Sequence, residues 1–275
     1  MTEPLVSIVV PCYRGRTYLR QAIESCLRQT HRNLEVIAVD DLSPDADYEL
    51  AEDMARSDNR IRVVRRSENG GIGRALNSGF AAAKGDYFTR LAQDDLFRED
   101  ALALLVRAIQ THPEAGLVYS DMQLIDADGK YMQMMHSEPP ERALLPANRV
   151  GLCVMWPRRV WDAVGPFDPA YDLCDDYEFF LRISRQFPLF KVEGEAPFFF
   201  RYHAGQGSIT KEKAHDVVRC RVQLAHHRAL LRQRRYSVEI WKRIVSGRLR
   251  LLACQTGLYQ YWKYDGRTLF KGRRR

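Results

Sequence analysis

Three short apolar runs, each stopped by polar residues, restrict the architecture of this chain more than any other feature. Residues 5–10 (Leu-Val-Ser-Ile-Val-Val) close at Pro11, Val36-Ile37-Ala38-Val39 stops at Asp40-Asp41, and Ile61-Arg62-Val63-Val64 repeats the form. Between the first two, Leu19, Ala22, Ile23, Cys26 and Leu27 recur at helical spacing, and a polar helical stretch over residues 47–56 precedes the third. Strands alternating with helices imply an α/β fold with a mostly parallel, doubly wound sheet and helices on both faces. In such sheets the ligand crevice lies past the carboxyl ends of the strands, here residues 11–14, 40–45 and 93–96.

The pattern continues with a helix over 73–83, a strand over 86–92, a helix over 100–110 and a strand over 116–124. Asp126-Ala127-Asp128-Gly129 is turn chemistry and predicts a hairpin into the methionine-rich residues 131–135. Residues 138–157 carry four prolines and read as loop-rich, the kind of region where substrate-specific segments lie, before an amphipathic helix over 175–187. Residues 211–275 read as two helices rich in arginine and histidine that end in Lys271-Gly272-Arg273-Arg274-Arg275. No repeat or low-complexity tract is visible.

The 275 residues, 45% hydrophobic and 28% charged, can build one full α/β core or one core with an appended helical segment, which makes intrinsic disorder and coiled coil poor readings. A net charge of +7 draws the chain towards phosphates, nucleic acid or an anionic membrane face. The six cysteines are dispersed without a C-x-x-C pair, as expected in a reducing cytoplasm and not in a disulfide framework or zinc ribbon. No stretch reaches the roughly 18 apolar residues needed to span a bilayer, and no basic leader precedes the first strand, so a soluble or peripheral protein is expected.

Two acid pairs carry the chemistry. Asp94-Asp95 follows a strand, where adjacent carboxylates repel an anionic ligand unless a divalent cation lies between; Mg²⁺ or Mn²⁺ takes one or two carboxylates and completes its shell with phosphate and water. A polar turn or helix N-cap accounts for the pair equally well when it is taken alone. Asp175-Asp176 opens a helix, where the macrodipole already favours an acid. If a sugar hydroxyl attacks an anomeric carbon, one such carboxylate can remove its proton. Asn69-Gly70-Gly71-Ile72-Gly73-Arg74 is a glycine-rich helix entry whose N–H groups and Arg74 could meet phosphate, but it is neither a P-loop nor a dinucleotide fingerprint.

Taken together, Val6 to Tyr13, Ile37 to Ser43, Gly85-Asp86-Tyr87-Phe88 leading to Asp94-Asp95, and Asp175-Asp176-Tyr177-Glu178-Phe179-Phe180-Leu181-Arg182 stand in an order and spacing that resembles the family 2 inverting glycosyltransferases of GT-A fold, over residues 5–205. The resemblance implies a GT-A domain over 1–208, with a nucleotide-sugar half to about residue 125 and an acceptor half beyond, followed by a basic helical segment over 209–275. It implies that Pro11 and Tyr13 lie against the nucleotide base, that Asp41 hydrogen-bonds it, and that Arg74 contacts base or phosphate. Asp95 becomes the ligand of a Mn²⁺ or Mg²⁺ ion, with His203 approaching it, Asp94 nearer the ribose, and Asp175 beside the donor. Asp176 becomes the base of a single, inverting displacement. The chain departs from the D-A-D-D of many relatives, reading Ala92-Gln93-Asp94-Asp95.

The expected donor is a UDP-sugar and the expected acceptor a glycan or lipid-linked molecule of cell-surface polysaccharide or lipopolysaccharide assembly, in the cytoplasm or at the inner face of the cell membrane. The arginines of residues 219–250, interleaved with apolar residues, fit an amphipathic helix on an anionic membrane or a solvated face. Nucleic acid is not expected, because Phe198-Phe199-Phe200 reads as core. A nucleotidylyltransferase and a non-catalytic nucleotide-sugar-binding relative are the alternatives; the first is disfavoured because Pro11 to Arg16 is not a glycine-rich loop.

Overall fold

The computed structural model describes residues 3–144, 147–205, 212–232, 245–249 and 251–252. The chain divides into two compact units, Met1–Ala204 and Gly205–Arg275. The first unit is built on a seven-stranded sheet in the order β10-β6-β9-β4-β1-β2-β3. Its strands are β1 (Val6–Cys12), β2 (Leu34–Asp40), β3 (Ile61–Arg65), β4 (Tyr87–Arg90), β6 (Leu117–Ser120), β9 (Val154–Pro157) and β10 (Leu189–Val192). All neighbouring pairs are parallel except those made by β9, which runs antiparallel to both β4 and β6. A second, four-stranded sheet joins β5 (Leu96–Phe97), β11 (Phe198–Arg201), β7 (Met122–Ile125) and β8 (Tyr131–Met135) in that order.

Helices cover both faces of the main sheet. On one face Val6, Ile8 and Val10 share a core with Leu19, Ala22, Ile23 and Cys26 of α1 (Arg16–Leu27) and with Leu102, Leu105, Val106 and Ile109 of α4 (Ala101–Thr111). The alternate side chains of β1 and β2 meet α3 (Ile72–Ala82) at Gly79. Burial on both faces explains why these strands are continuous apolar runs. Beside α3, Phe80, Phe88, Trp156, Trp161, Phe167 and Phe179 form one aromatic cluster with centroid separations of 4.4–6.4 Å. It locks α5 (Arg158–Val164) and α6 (Asp175–Ser184) to the sheet and so fixes where the second acid pair stands.

Two local expectations are corrected. The strand expected over 116–124 is two strands in different sheets, broken at Asp121. Its buried carboxylate accepts hydrogen bonds from Ser137 N (2.9 Å) and Lys191 Nζ (3.0 Å), with His136 Nδ1 at 2.8 Å, so it is drawn out of either ladder. The proline-rich stretch over 138–157 ends in β9, whose four residues are all buried in mid-sheet, with Pro157 at the strand end where a missing N–H is tolerated.

The helix α7 (Glu212–Arg232) belongs to the second unit. Its buried residues mix Cys220, Val222 and Leu224 with Asp216, Gln223, His226 and His227. Arg234, Arg235, Lys242, Arg243 and the basic end at 271–275 lie outside the described residues. Among the described residues no helix is long and apolar enough to cross a membrane.

Gly79 marks the closest approach of α3 to the sheet. A Cβ there would lie 2.4 Å from Val9 Cγ1 and 2.9 Å from Val39 Cγ2. Gly79→Ala gains about 1 kcal/mol of helix propensity. Overpacking costs roughly 1–3 kcal/mol, with two core valines in the way. A net loss is therefore expected in chemical denaturation, and a midpoint at or above wild type would mean that α3 can slide off the sheet.

Candidate active site

Strand order reverses between β1 and β4, and the loops that follow β1, β2 and β4 converge at the carboxyl edge of the sheet. Backbone N–H groups there have left the ladder and need other acceptors. Tyr13 N donates to Gln93 Oε1 (2.7 Å), Arg14 N to Ser43 Oγ (2.7 Å) and Gly15 N to Asp47 Oδ2 (2.9 Å). Gln93 Nε2 donates back to Tyr13 O (2.9 Å). The Tyr13 ring is 40% exposed, with the Arg14 guanidinium 5.4 Å from its centroid. Pro11 lies within β1, opposite Val39.

Asp41 is buried, and the glycine-rich entry to α3 is folded onto it. Gly70 N (3.1 Å) and Gly71 N (2.8 Å) donate to its carboxylate, and Arg66 Nε stands 2.7 Å away. This corrects the expectation that the glycine N–H groups stand free for phosphate: a carboxylate from the neighbouring strand end already takes two of them. Arg74 is exposed, and its Nη1 reaches back to Gly70 O at 3.3 Å.

The Asp94-Asp95 pair is held by β11. Asp95 is fully buried; its Oδ1 accepts Arg201 N at 2.9 Å, and its Oδ2 has no hydrogen-bond partner among the described residues. Burial first, and then the neighbouring Asp94, push the Asp95 carboxyl well above the usual carboxylate range. His203 Nε2 lies 2.9 Å from Asp94 Oδ2, so His203 is joined to the other acid of the pair. Arg201, itself buried, donates from Nε to Asp94 O, from Nη1 to Ala127 O and from Nη2 to Gln21 Oε1, stacked over Tyr18 at 4.6 Å.

The second acid pair divides its work. Asp175 is buried and its Oδ2 accepts from Arg90 Nη1 at 2.6 Å, which anchors the start of α6 to the end of β4. Asp176, partly exposed, accepts Asn148 Nδ2 on Oδ2 (2.8 Å) and Tyr177 N on Oδ1 (2.6 Å). Burial opposes the charge on Arg90, but Asp175 and Asp176, with Asp95, outweigh it and hold the guanidinium above its ordinary pKa. One buried cation thus lies within electrostatic reach of both acid pairs.

Backbone strain collects at the same edge. The four non-glycine residues with positive φ among those described are Arg14 (54°), Leu42 (58°), Ala46 (63°) and Leu173 (76°), in the loops after β1 and β2 and just before α6. A side chain in this region costs about 1 kcal/mol or more, and such residues concentrate at functional sites.

Arg90, Asn148 and Arg201 carry much of this geometry without having been singled out in the sequence. Arg90 left a signal, a charge at the end of the apolar strand Tyr87-Phe88-Thr89-Arg90, which demands a buried partner. Asn148 left none, since it reaches Asp176 through an irregular segment.

Residues 7–158 match the family model described as Glycosyl transferase family 2, which is more than half of the chain. The chain belongs to this family. A Rickettsia bellii protein described as an uncharacterized glycosyltransferase is 32% identical over 223 residues, covering 78% of this chain and 32% of that protein. Glycosyltransferase GlyG of Streptococcus pneumoniae serotype 4 is 34% identical over 127 residues, 46% of this chain and 42% of its own. The chain spans about a third of the length of the first curated relatives it matches.

Among solved structures, S. aureus TarS 1-349 in complex with UDP-GlcNAc superposes with a TM-score of 0.66 at 16% identity, covering 90% of this chain and 81% of that one. The mannosyltransferase PcManGT from Pyrobaculum calidifontis, in complex with GDP-Man and Mn²⁺, gives 0.62 at 16% identity, covering 94% and 75%. The fold is therefore GT-A-like, with the mixed, mostly parallel sheet the sequence implied.

Removing one member of a buried ion pair leaves the other charge uncompensated, at about 3–5 kcal/mol. Arg90→Met is expected to lower stability on that scale in denaturant titration, and Arg90→Met with Asp175→Leu to recover most of it. A double variant no more stable than Arg90→Met would show that Arg90 serves another partner.

Proposed function

We propose that this chain transfers a sugar from a nucleotide-sugar donor, a UDP-sugar by first choice, to an acceptor hydroxyl with inversion at the anomeric carbon. The observation that carries this reading is the gathering of Asp95, Asp175 and Asp176 around the buried guanidinium of Arg90, at the edge where the sheet opens. Family membership and the GT-A-like fold support it.

The nucleotide is assigned to the loops after β1 and β2, with Tyr13 and Pro11 against the base. Asp41 then shapes the base pocket by holding the glycine loop, and Arg74 is the exposed cation at its rim. Asp94 stands beside the donor's ribose, oriented by His203. Asp175 acts through Arg90, positioning α6 rather than touching sugar.

Asp95 suits a divalent cation. Its buried Oδ2 lacks a partner among the described residues, and a hard cation takes such an oxygen. Among the described residues no group of three or more His, Cys, Asp and Glu could hold an ion, so Asp95 would share Mn²⁺ or Mg²⁺ with diphosphate oxygens and water. When bound, the ion supplies counter-charge to the departing diphosphate.

Asp176 is the base. Its carboxylate is oriented by Asn148 and by the first turn of α6, with an oxygen placed to take the proton of an acceptor hydroxyl. Displacement in a single step needs no protein nucleophile. The acceptor is assigned to a glycan or lipid-linked molecule of cell-surface polysaccharide or lipopolysaccharide assembly.

With UDP-GlcNAc and GDP-mannose as donor probes, Asp176→Asn should reduce sugar transfer by at least the roughly 10²–10⁴-fold worth of a general base while leaving donor affinity nearly intact. Wild-type-like transfer would remove Asp176 from the role. Asp95→Ala should weaken Mn²⁺-dependent donor binding in calorimetry; an unaltered Mn²⁺ dependence would place the ion elsewhere.

A further inference from the structure

Gln93 follows Ala92, where this chain lacks the first acid of the D-A-D-D of many relatives, and its side chain is among the most constrained at the site. Its amide makes a reciprocal pair with the backbone of Tyr13, accepting from N at 2.7 Å and donating to O at 2.9 Å. This is the pairing of a strand neighbour, supplied by a side chain past the end of the ladder. The next two N–H groups, of Arg14 and Gly15, are taken by Ser43 and Asp47. The loop is thereby clamped from two sides, and Gln93 is the clamp that comes from the Asp94-Asp95 segment.

Gly15 shows that room is kept for this amide. Its φ of −110° and ψ of 4° are open to any L-residue, so backbone freedom does not require glycine here. A Cβ, however, would fall 2.1 Å from Gln93 Oε1, 2.2 Å from Cδ and 2.7 Å from Nε2. The three atoms nearest such a Cβ all belong to the Gln93 amide, so the glycine keeps the room that this side chain occupies. An alanine would be accommodated by swinging Gln93 away, at the loss of both bonds to Tyr13.

We infer that Gln93 and Gly15 act as one positioning unit that fixes the Tyr13 loop in its base-receiving shape and couples it to the segment carrying Asp94 and Asp95. This rests on the reading that the Tyr13 loop receives a nucleoside diphosphate. The unit touches the protein backbone rather than the reacting atoms, and it acts on nucleoside recognition more than on diphosphate recognition. Its two members are energetically one: removing either removes the same two hydrogen bonds.

The test is calorimetric titration of UDP, GDP, dTDP and CDP, and separately of inorganic diphosphate, each with Mn²⁺. The proteins are the full chain, Gln93→Ala, Gly15→Ala and the double variant. For the nucleotide the wild type binds best, each single variant should weaken affinity roughly tenfold, the scale of one or two net hydrogen bonds. The double variant should be no weaker than the weaker single, because both substitutions delete the same interaction. Inorganic diphosphate should hold within about twofold throughout, which general loosening of the fold would not allow.

Gln93→Glu puts a carboxylate oxygen against Tyr13 O where the amide donated, so it should bind nucleotide no better than Gln93→Ala. Single variants that bind nucleotide like wild type, losses that multiply in the double variant, or an equal loss for inorganic diphosphate would each overturn the inference. A wild type that binds none of the four nucleotides would instead remove the functional reading beneath it.

Discussion

A strand that ends at the open edge of a parallel sheet leaves N–H groups that no ladder can satisfy, and the rest of this structure is arranged around that constraint. Side-chain oxygens from other segments take them, Gln93, Ser43 and Asp47 those after β1, and the same device recurs elsewhere, with Asp41 at the glycine entry to α3, Asp95 at Arg201 of β11 and Asp121 at Ser137 after β8. Because each acceptor comes from a distant segment, satisfying the backbone also ties the loops to one another. The crevice is held open in a defined shape before any ligand arrives. The same ties tolerate positive φ at Arg14, Leu42, Ala46 and Leu173, strain that the surrounding bonds over-determine.

Electrostatics add a second layer. Acids concentrated at one edge repel each other, and Arg90 and Arg201 are buried counter-charges among them. The pairing of Arg90 with Asp175 joins β4 to α6, so one interaction both neutralises and positions. Asp95 stands apart, buried and with one oxygen unpartnered among the described residues. A carboxyl in that state is costly in the free protein and suited to a cation that arrives with an anionic donor.

Much of the fold was legible because fully buried parallel strands must be continuous apolar runs, as residues 5–10 and 36–39 are. β9 was not, since its apolar residues follow three prolines and a proline ends it; nor was the break at Asp121, where a tertiary network overrides strand propensity. At the site, the acid pairs stood out by type and spacing. Their division of labour did not: that Asp175 is anchored by Arg90 while Asp176 meets Asn148 depends on partners 85 and 28 residues away. The lost acid of the D-A-D-D pattern falls at Ala92, and its neighbour Gln93 carried no signal of its own yet proved to be a backbone clamp, a role visible only with Gly15 beside it.

The central claim, that the loops at the carboxyl ends of β1, β2 and β4 form one nucleotide-sugar site, is tested most directly by amide hydrogen exchange of the full chain with and without UDP-GlcNAc or GDP-mannose and Mn²⁺. The account predicts that the donor that binds slows exchange at residues 12–15, 41–46, 69–74 and 93–96 together, with the edge strand β8 unaffected. Protection confined to another part of the chain, or to only one of these loops, would contradict it.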